Sequence, residues 1–164
     1  MNKKNISVSW TEFNSIEELN GDDRELVIAA REAALKAYAP YSKFSVGAAI
    51  RLENGIIIKG TNVENAAFPS GICAERTALS YSASNYPSVK PVAIAVAAIT
   101  EDGLTKEPVP PCGNCRQVIA EEEFRNKTDI RVILSGESKI QIIAKGGDLL
   151  PLQFNRNNLK VKLL

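Results

Sequence analysis

At 164 residues the chain has the length of about one domain, and 45% hydrophobic with 24% charged residues is the mix of a globule that folds without a disulfide frame. Twenty basic residues against 19 acidic leave a net charge of +1, which gives no basic footprint for DNA or RNA. No stretch approaches the roughly 18 apolar residues of a membrane span, residues 6–10 are no signal-peptide apolar run, and an odd count of three cysteines suits a reducing, cytoplasmic setting.

In chain order, residues 1–20 read as an N-terminal extension with a short strand at 6–10, and residues 21–164 as one domain. Asp22 and Asp23 read as the N-cap and first-turn acid of a helix. The helix carries Leu26, Ala29, Ala30, Ala33, Ala34 and Ala37 at helical spacing and is ended by Pro40. Two β-type runs, 44–52 and 56–62, flank Glu53-Asn54-Gly55, a hairpin signal. Residues 74–83 read as a second helix, with Cys73 at or just before its first turn. The apolar run 91–99 has the pattern of a strand covered on both faces. A polar loop leads through Pro110-Pro111 to a helix over 112–123, then strands at 130–134 and 140–143, and a tail from 147 with a helical turn near 148–150. This alternation predicts an α/β domain: three layers, α/β/α, around a mixed five-stranded sheet.

All three cysteines fall in two short motifs, Cys73-Ala74-Glu75-Arg76 and Pro110-Pro111-Cys112-Gly113-Asn114-Cys115, and the chain has no histidine. Cys112 and Cys115, three apart at a helix start, lie on one face and can share a metal. Alone, that pair suits a redox couple or a structural knuckle. Cys73, at the start of another helix, adds a third thiolate; without histidine the usual fourth ligand is missing, so one metal position stays open. Glu75 nearby is either a first-turn acid for the helix dipole or a proton carrier. Positions 73 and 75 of a helix would project to different sides, so spacing alone does not place Glu75 over the metal.

These motifs match the signature of the zinc deaminases, His-x-Glu followed by Pro-Cys-x-x-Cys, in its three-cysteine form. Together with Tyr38-Ala39-Pro40-Tyr41-Ser42-Lys43-Phe44-Ser45-Val46-Gly47-Ala48-Ala49, Asn62-Val63-Glu64-Asn65-Ala66-Ala67 and Leu149-Leu150-Pro151, the chain resembles the cytidine deaminase family, in its homotetrameric three-cysteine branch, over residues 24–156. The resemblance implies one Zn²⁺ per chain on Cys73, Cys112 and Cys115, and hydrolysis of cytidine and deoxycytidine to uridine and deoxyuridine with release of ammonia, a reaction of pyrimidine salvage. It places Glu75 as the catalytic proton shuttle. Three thiolates leave zinc electron-rich, and Arg76 is the candidate cation to draw charge from the sulfurs.

For the substrate, Asn62 and Glu64 alternate at a strand end and can face one side; the resemblance makes them ligands of the ribose. Phe44 would wall the base, Ala66 would line the pocket, and Phe154 resembles the aromatic that each subunit of the branch lends to its neighbour, so the active sites are shared in a homotetramer. Phe68 departs from the tyrosine many relatives carry. A carboxylate at the sugar and the near-zero net charge favour a free pyrimidine nucleoside, with no nucleic acid and no membrane as partner. The competing readings are deamination of a related nucleoside such as blasticidin S, an editing deaminase, and a noncatalytic zinc domain that leaves Glu75 unexplained.

Overall fold

The computed structural model describes residues 1–159. Positions 160–164 of the expected tail lie outside the described residues. The strands are β1 (Thr11–Phe13), β2 (Ser45–Leu52), β3 (Ile57–Thr61), β4 (Pro91–Thr100), β5 (Gly103–Leu104), β6 (Arg131–Ser135) and β7 (Ile140–Ile143). The helices are α1 (Gly21–Ala34), α2 (Ala74–Asn85), α3 (Gly113–Asn126) and the short α4 (Arg156–Leu159). The strands form one sheet in the order β1-β7-β6-β4-β2-β3, with β5 paired to β4. Among the strands of the described residues, β4 and β6 run parallel, joined through α3, and the other pairs are antiparallel. The sheet is mixed, as expected.

Among the described residues it has seven strands rather than five. The five expected runs are β2, β3, β4, β6 and β7, and the two additions are marginal strands of three and two residues. The expected strand at 6–10 is displaced to Thr11–Phe13, which pairs with Ile140–Ile142 of β7. Ile6 and Trp10 stay exposed, so alternation there buries no face, whereas Phe13 and Ile16 pack against the core. The pairing also covers the outer edge of β7, which would otherwise present free backbone groups.

Alternation along β4 explains the three layers. Ala93, Ala95 and Ala97 face α1 together with Ala49 and Ile133, while Ile94 and Val96 face the other way with Ile50, Leu79, Ile119 and Val132. Small residues on the first face let α1 lie close: a Cβ on Gly47 would run into the backbone of Ala30 and Ala34. Larger aliphatics on the second face hold α2 and α3, each fully buried one contributing about 1.5–3 kcal/mol.

The helix ends differ from the expected ones. The α1 cap is Asn20, whose Oδ1 accepts the Asp23 N–H at 2.9 Å. Asp22 and Asp23 are both first-turn acids, and buried Asp23 pairs with Arg131. The helix ends at Ala34, before Pro40. The turn expected near 148–150 is a 3₁₀ turn over Gly146–Leu149.

Gly60 sets the position of α2. A Cβ there would stand 2.5 Å from the Ala74 carbonyl oxygen and 2.6 Å from the Ala78 nitrogen, both backbone atoms that cannot swing aside. Gly60→Ala is therefore expected to push the start of α2 off the sheet and destabilise the protein by about 1–3 kcal/mol. Urea unfolding checks this; an unchanged midpoint would show that α2 has room to spare.

Candidate active site

Two helix starts meet at one end of the sheet. Cys73 is the N-cap of α2 and Cys112 the N-cap of α3, both with extended backbone and neither using its side chain to cap the helix. Their sulfurs are thus left free, where an Asp or Ser would have turned back to the helix. Cys115 lies in the first turn of α3 and is fully buried. The three sulfurs lie within 4.8 Å of one another, Cys73 to Cys112 at 3.8 Å and Cys112 to Cys115 at 3.5 Å. All three cysteines are free, and these separations are far beyond a disulfide bond.

The donor set fits zinc. Sulfurs about 2.3 Å from a tetrahedral zinc stand about 3.8 Å apart, close to the separations seen here. Both helix starts also direct partial positive charge at the sulfurs. Burial pushes the Cys115 thiol far up, and the Glu75 carboxylate and Cys73 beside it push the same way. Cys73 is likewise raised, chiefly by burial. At Cys112 burial acts upward, but hydrogen bonds from Cys115, Cys73 and Asn114 outweigh it and lower its pKa. Three thiols and a carboxyl this close ionise together only around a cation.

Glu75 joins this cluster from the first turn of α2 and is 4% exposed. Because Cys73 is the cap and not a helical residue, the rule that positions two apart diverge on a helix does not apply, and Glu75 lies beside the Cys115 sulfur. Burial raises the Glu75 carboxyl above its usual range, opposed by its own backbone N–H, the Cys115 thiol and Arg76.

Cys73 and Cys112 line a cleft of about 600 Å³ together with Asn62, Glu64 and Arg76. A pair of backbone hydrogen bonds between Val63 and Ile72, both 3.0 Å, ties the 62–64 segment to the approach to Cys73. On its other side Glu64 donates its N–H to the Tyr38 carbonyl at 2.8 Å. Asn62 is oriented by its own amide: Oδ1 accepts the Val46 N–H at 2.7 Å and Nδ2 donates to the Phe44 carbonyl at 2.9 Å. The Glu64 Oε2 accepts the N–H groups of Tyr41 at 2.9 Å and Ser42 at 3.2 Å. The Ser42 side chain first, then the N–H groups of Tyr41 and Ser42, hold the Glu64 carboxyl below the usual range against a smaller opposing effect of burial.

The structure thus gathers Cys73, Cys112, Cys115, Glu75, Asn62, Glu64 and Arg76 at one end of the sheet. Among the described residues, no hydrogen bond joins the Arg76 guanidinium to a cysteine sulfur. Phe44, Ala66 and Phe154 do not line the cleft within this chain. Phe44 is half-buried beside the Asn62 amide, Ala66 is exposed, and Phe154 sits exposed beyond α3, its carbonyl accepting from Gln117 Nε2 at 2.8 Å. Phe68 stands at the cleft, 90% exposed. Sequence reasoning missed the amides of Tyr41 and Ser42, whose signal was the Pro40 turn.

Comparison with known proteins agrees with this arrangement. A profile of the cytidine and deoxycytidylate deaminase zinc-binding region matches residues 20–128. A cytidine deaminase of Sporosarcina psychrophila is 42% identical over 139 residues, covering 84% of this chain and 95% of that one. Another from Halalkalibacterium halodurans is 50% identical over 100 residues, covering 60% and 71%. The crystal structure of cytidine deaminase from Burkholderia pseudomallei superposes with a TM-score of 0.67 at 41% identity, covering 79% of this chain and 97% of that one. With the fold, the sulfur cluster and the sequence in agreement, the chain belongs to the zinc-binding cytidine and deoxycytidylate deaminase family.

Proposed function

We propose that this enzyme deaminates free cytidine and deoxycytidine by hydrolysis, giving uridine or deoxyuridine and ammonia, with one zinc per chain on Cys73, Cys112 and Cys115. The observation that carries the reading is a buried carboxyl, Glu75, beside three sulfurs spaced for one tetrahedral metal. When bound, zinc supplies a Lewis acid that makes water a nucleophile at neutral pH. Glu75 takes the proton from that water and delivers it to N3 of the ring as the C4–O bond forms. It then takes the remaining proton from the hydroxyl now on C4 and delivers it to the exocyclic amine, which leaves as ammonia as the C4–N bond breaks and the C4 carbonyl forms. Burial suits the carboxyl to this work by keeping bulk water from competing for its proton.

Asn62 and Glu64 bind the sugar. Each is oriented by part of its hydrogen-bonding capacity and keeps the rest free: one lone pair and one N–H on Asn62, and Oε1 on Glu64. An ionised Glu64 beside the sugar repels a phosphate, which favours a nucleoside over a nucleotide or a polynucleotide. Arg76 faces the same cleft and draws negative charge from the cysteine cluster. Phe44 and Ala66 lie off the cleft in this chain, and their place beside the base rests on the family resemblance alone.

The protein acts in pyrimidine salvage in the cytoplasm, as a homotetramer in which Phe154 of one subunit reaches the site of another. Exposed Tyr41, Val63 and Phe68 beside the cleft support assembly, since such apolar clusters mark contact surfaces. No described helix is long and apolar enough to cross a membrane.

Ammonia release from zinc-loaded protein tests the substrate class. Cytidine and deoxycytidine are expected to turn over, and CMP, blasticidin S and single-stranded DNA to stay intact. Failure on both nucleosides would contradict the proposal. Light scattering is expected to give a tetramer, and a monomer would remove the shared-site arrangement.

A further inference from the structure

Arg116 makes contacts that the deaminase chemistry does not call for. It is half-buried and follows Cys115 directly on α3. Its backbone N–H closes the first helical turn on the Cys112 carbonyl at 3.0 Å. Its side chain turns back, and Nε donates to the carbonyl of Pro111 at 2.8 Å. One residue therefore holds the carbonyls on both sides of Cys112. The orientations of those two peptide planes are what φ and ψ of Cys112 describe, −65° and 165° here. With both planes held, the direction of the Cα–Cβ bond is set, and the sulfur keeps only rotation about χ1.

The other end of the guanidinium anchors this grip. Arg116 Nη1 donates to the Leu149 carbonyl at 3.0 Å, at the end of the Gly146–Leu149 turn. That turn is fixed in its own right. The Glu123 carboxylate, two helical turns further along α3, accepts the N–H groups of Ile130, Gly146 and Gly147, each at 2.8 Å. The planar guanidinium is suited to such bridging, because its donors diverge in a fixed fork. Pro111 is buried, so without Arg116 its carbonyl loses its partner away from water.

We propose that Arg116 is a positioning residue for the metal, fixing the Cys112 sulfur by clamping the peptide planes on either side of it to the Gly146–Leu149 turn. Cys112 needs this more than its partners: it is the exposed member of the three, whereas Cys115 is packed inside α3 and Cys73 is half-buried. The inference rests on the three cysteines being the zinc ligands.

The test uses Arg116→Met, which keeps the apolar stem and removes the donors, and Arg116→Lys, which restores one charged donor group. Arg31→Met is the control for losing a guanidinium fork, because Arg31 joins α1 to the Ser135 hydroxyl and the Gly136 carbonyl at 3.0 and 2.9 Å. Zinc affinity is measured by chelator competition, and the sulfur-to-metal charge-transfer band is recorded after replacing zinc with cobalt(II). Arg116→Met is expected to bind zinc about 10–100-fold more weakly, the cost typical of losing an outer partner of a ligand, with an altered cobalt spectrum. Arg116→Lys falls between it and the unaltered protein, and Arg31→Met loses stability with zinc affinity unchanged. Arg116→Met with unaltered affinity and spectrum overturns the proposal, as does an equal loss of affinity in Arg31→Met. If Arg116→Met does not fold, Arg116→Lys decides by the same two readouts, and identity with the unaltered protein overturns it. Failure of the underlying ligand assignment looks different, since the unaltered protein itself would then show no sulfur-to-cobalt band.

Discussion

Glu75→Gln is expected to keep its zinc and lose turnover, with kcat lower by about 10²–10⁴-fold. The substitution preserves shape and one acceptor oxygen, so the buried space beside Cys115 stays filled, and only the capacity to carry a proton goes. Loss of kcat with little change in KM is the expected pattern, because the sugar contacts of Asn62 and Glu64 are untouched. The apoprotein should also be no less stable. Burial raises the folded pKa of Glu75 above its unfolded value, so its ionised form opposes folding increasingly as pH rises through the ordinary carboxylate range. A neutral amide removes that cost, and thermal unfolding at pH 7 without metal should give an equal or higher Tm. Activity within tenfold of the unaltered enzyme would remove Glu75 from the proton transfers.

Cys115→Ala is expected to abolish zinc binding under conditions where the unaltered protein is saturated, and activity with it. The effect should exceed the about 10–100-fold typical of losing an outer partner, because a ligand itself is removed. The fold should survive, since the two apolar clusters between the sheet and the helices do not depend on the metal. Stability supplies an independent readout. A ligand at 100 times its Kd adds about 2.7 kcal/mol to the folded state. Adding a chelator should therefore lower the Tm of the unaltered protein and leave that of Cys115→Ala where it was. Equal zinc content in the two proteins would show that the metal does not need this sulfur.

The layers of this protein could be read in its sequence because its strands and helices carry strong local patterns. The double apolar run that became β4 leaves few alternatives, and five strands fell near their expected places. The two short strands were not legible: β1 and β5 exist because a partner edge is available, and nothing in three or two residues encodes that partner. The α1 cap was misplaced because Asp22 and Asp23 have the right chemistry for a cap, while Asn20 holds the right position. At the site, the sulfur cluster was legible because metal binding demands rare residues at fixed spacing. Whether Glu75 could face it was not, since that depends on Cys73 being a cap. The supporting hydrogen bonds are harder still to anticipate. Those that Tyr41 and Ser42 give to Glu64, or that Arg116 gives to Pro111 and Leu149, use backbone groups that every residue carries, so no residue type announces them.

Zinc-edge X-ray absorption on the purified, active protein addresses the metal centre most directly. Three sulfur neighbours and one lighter atom around a single zinc per chain are predicted, with the sulfur count falling to two or the zinc lost when Cys73 is replaced by alanine. A spectrum with four sulfurs, or an active protein with no zinc, would contradict the account.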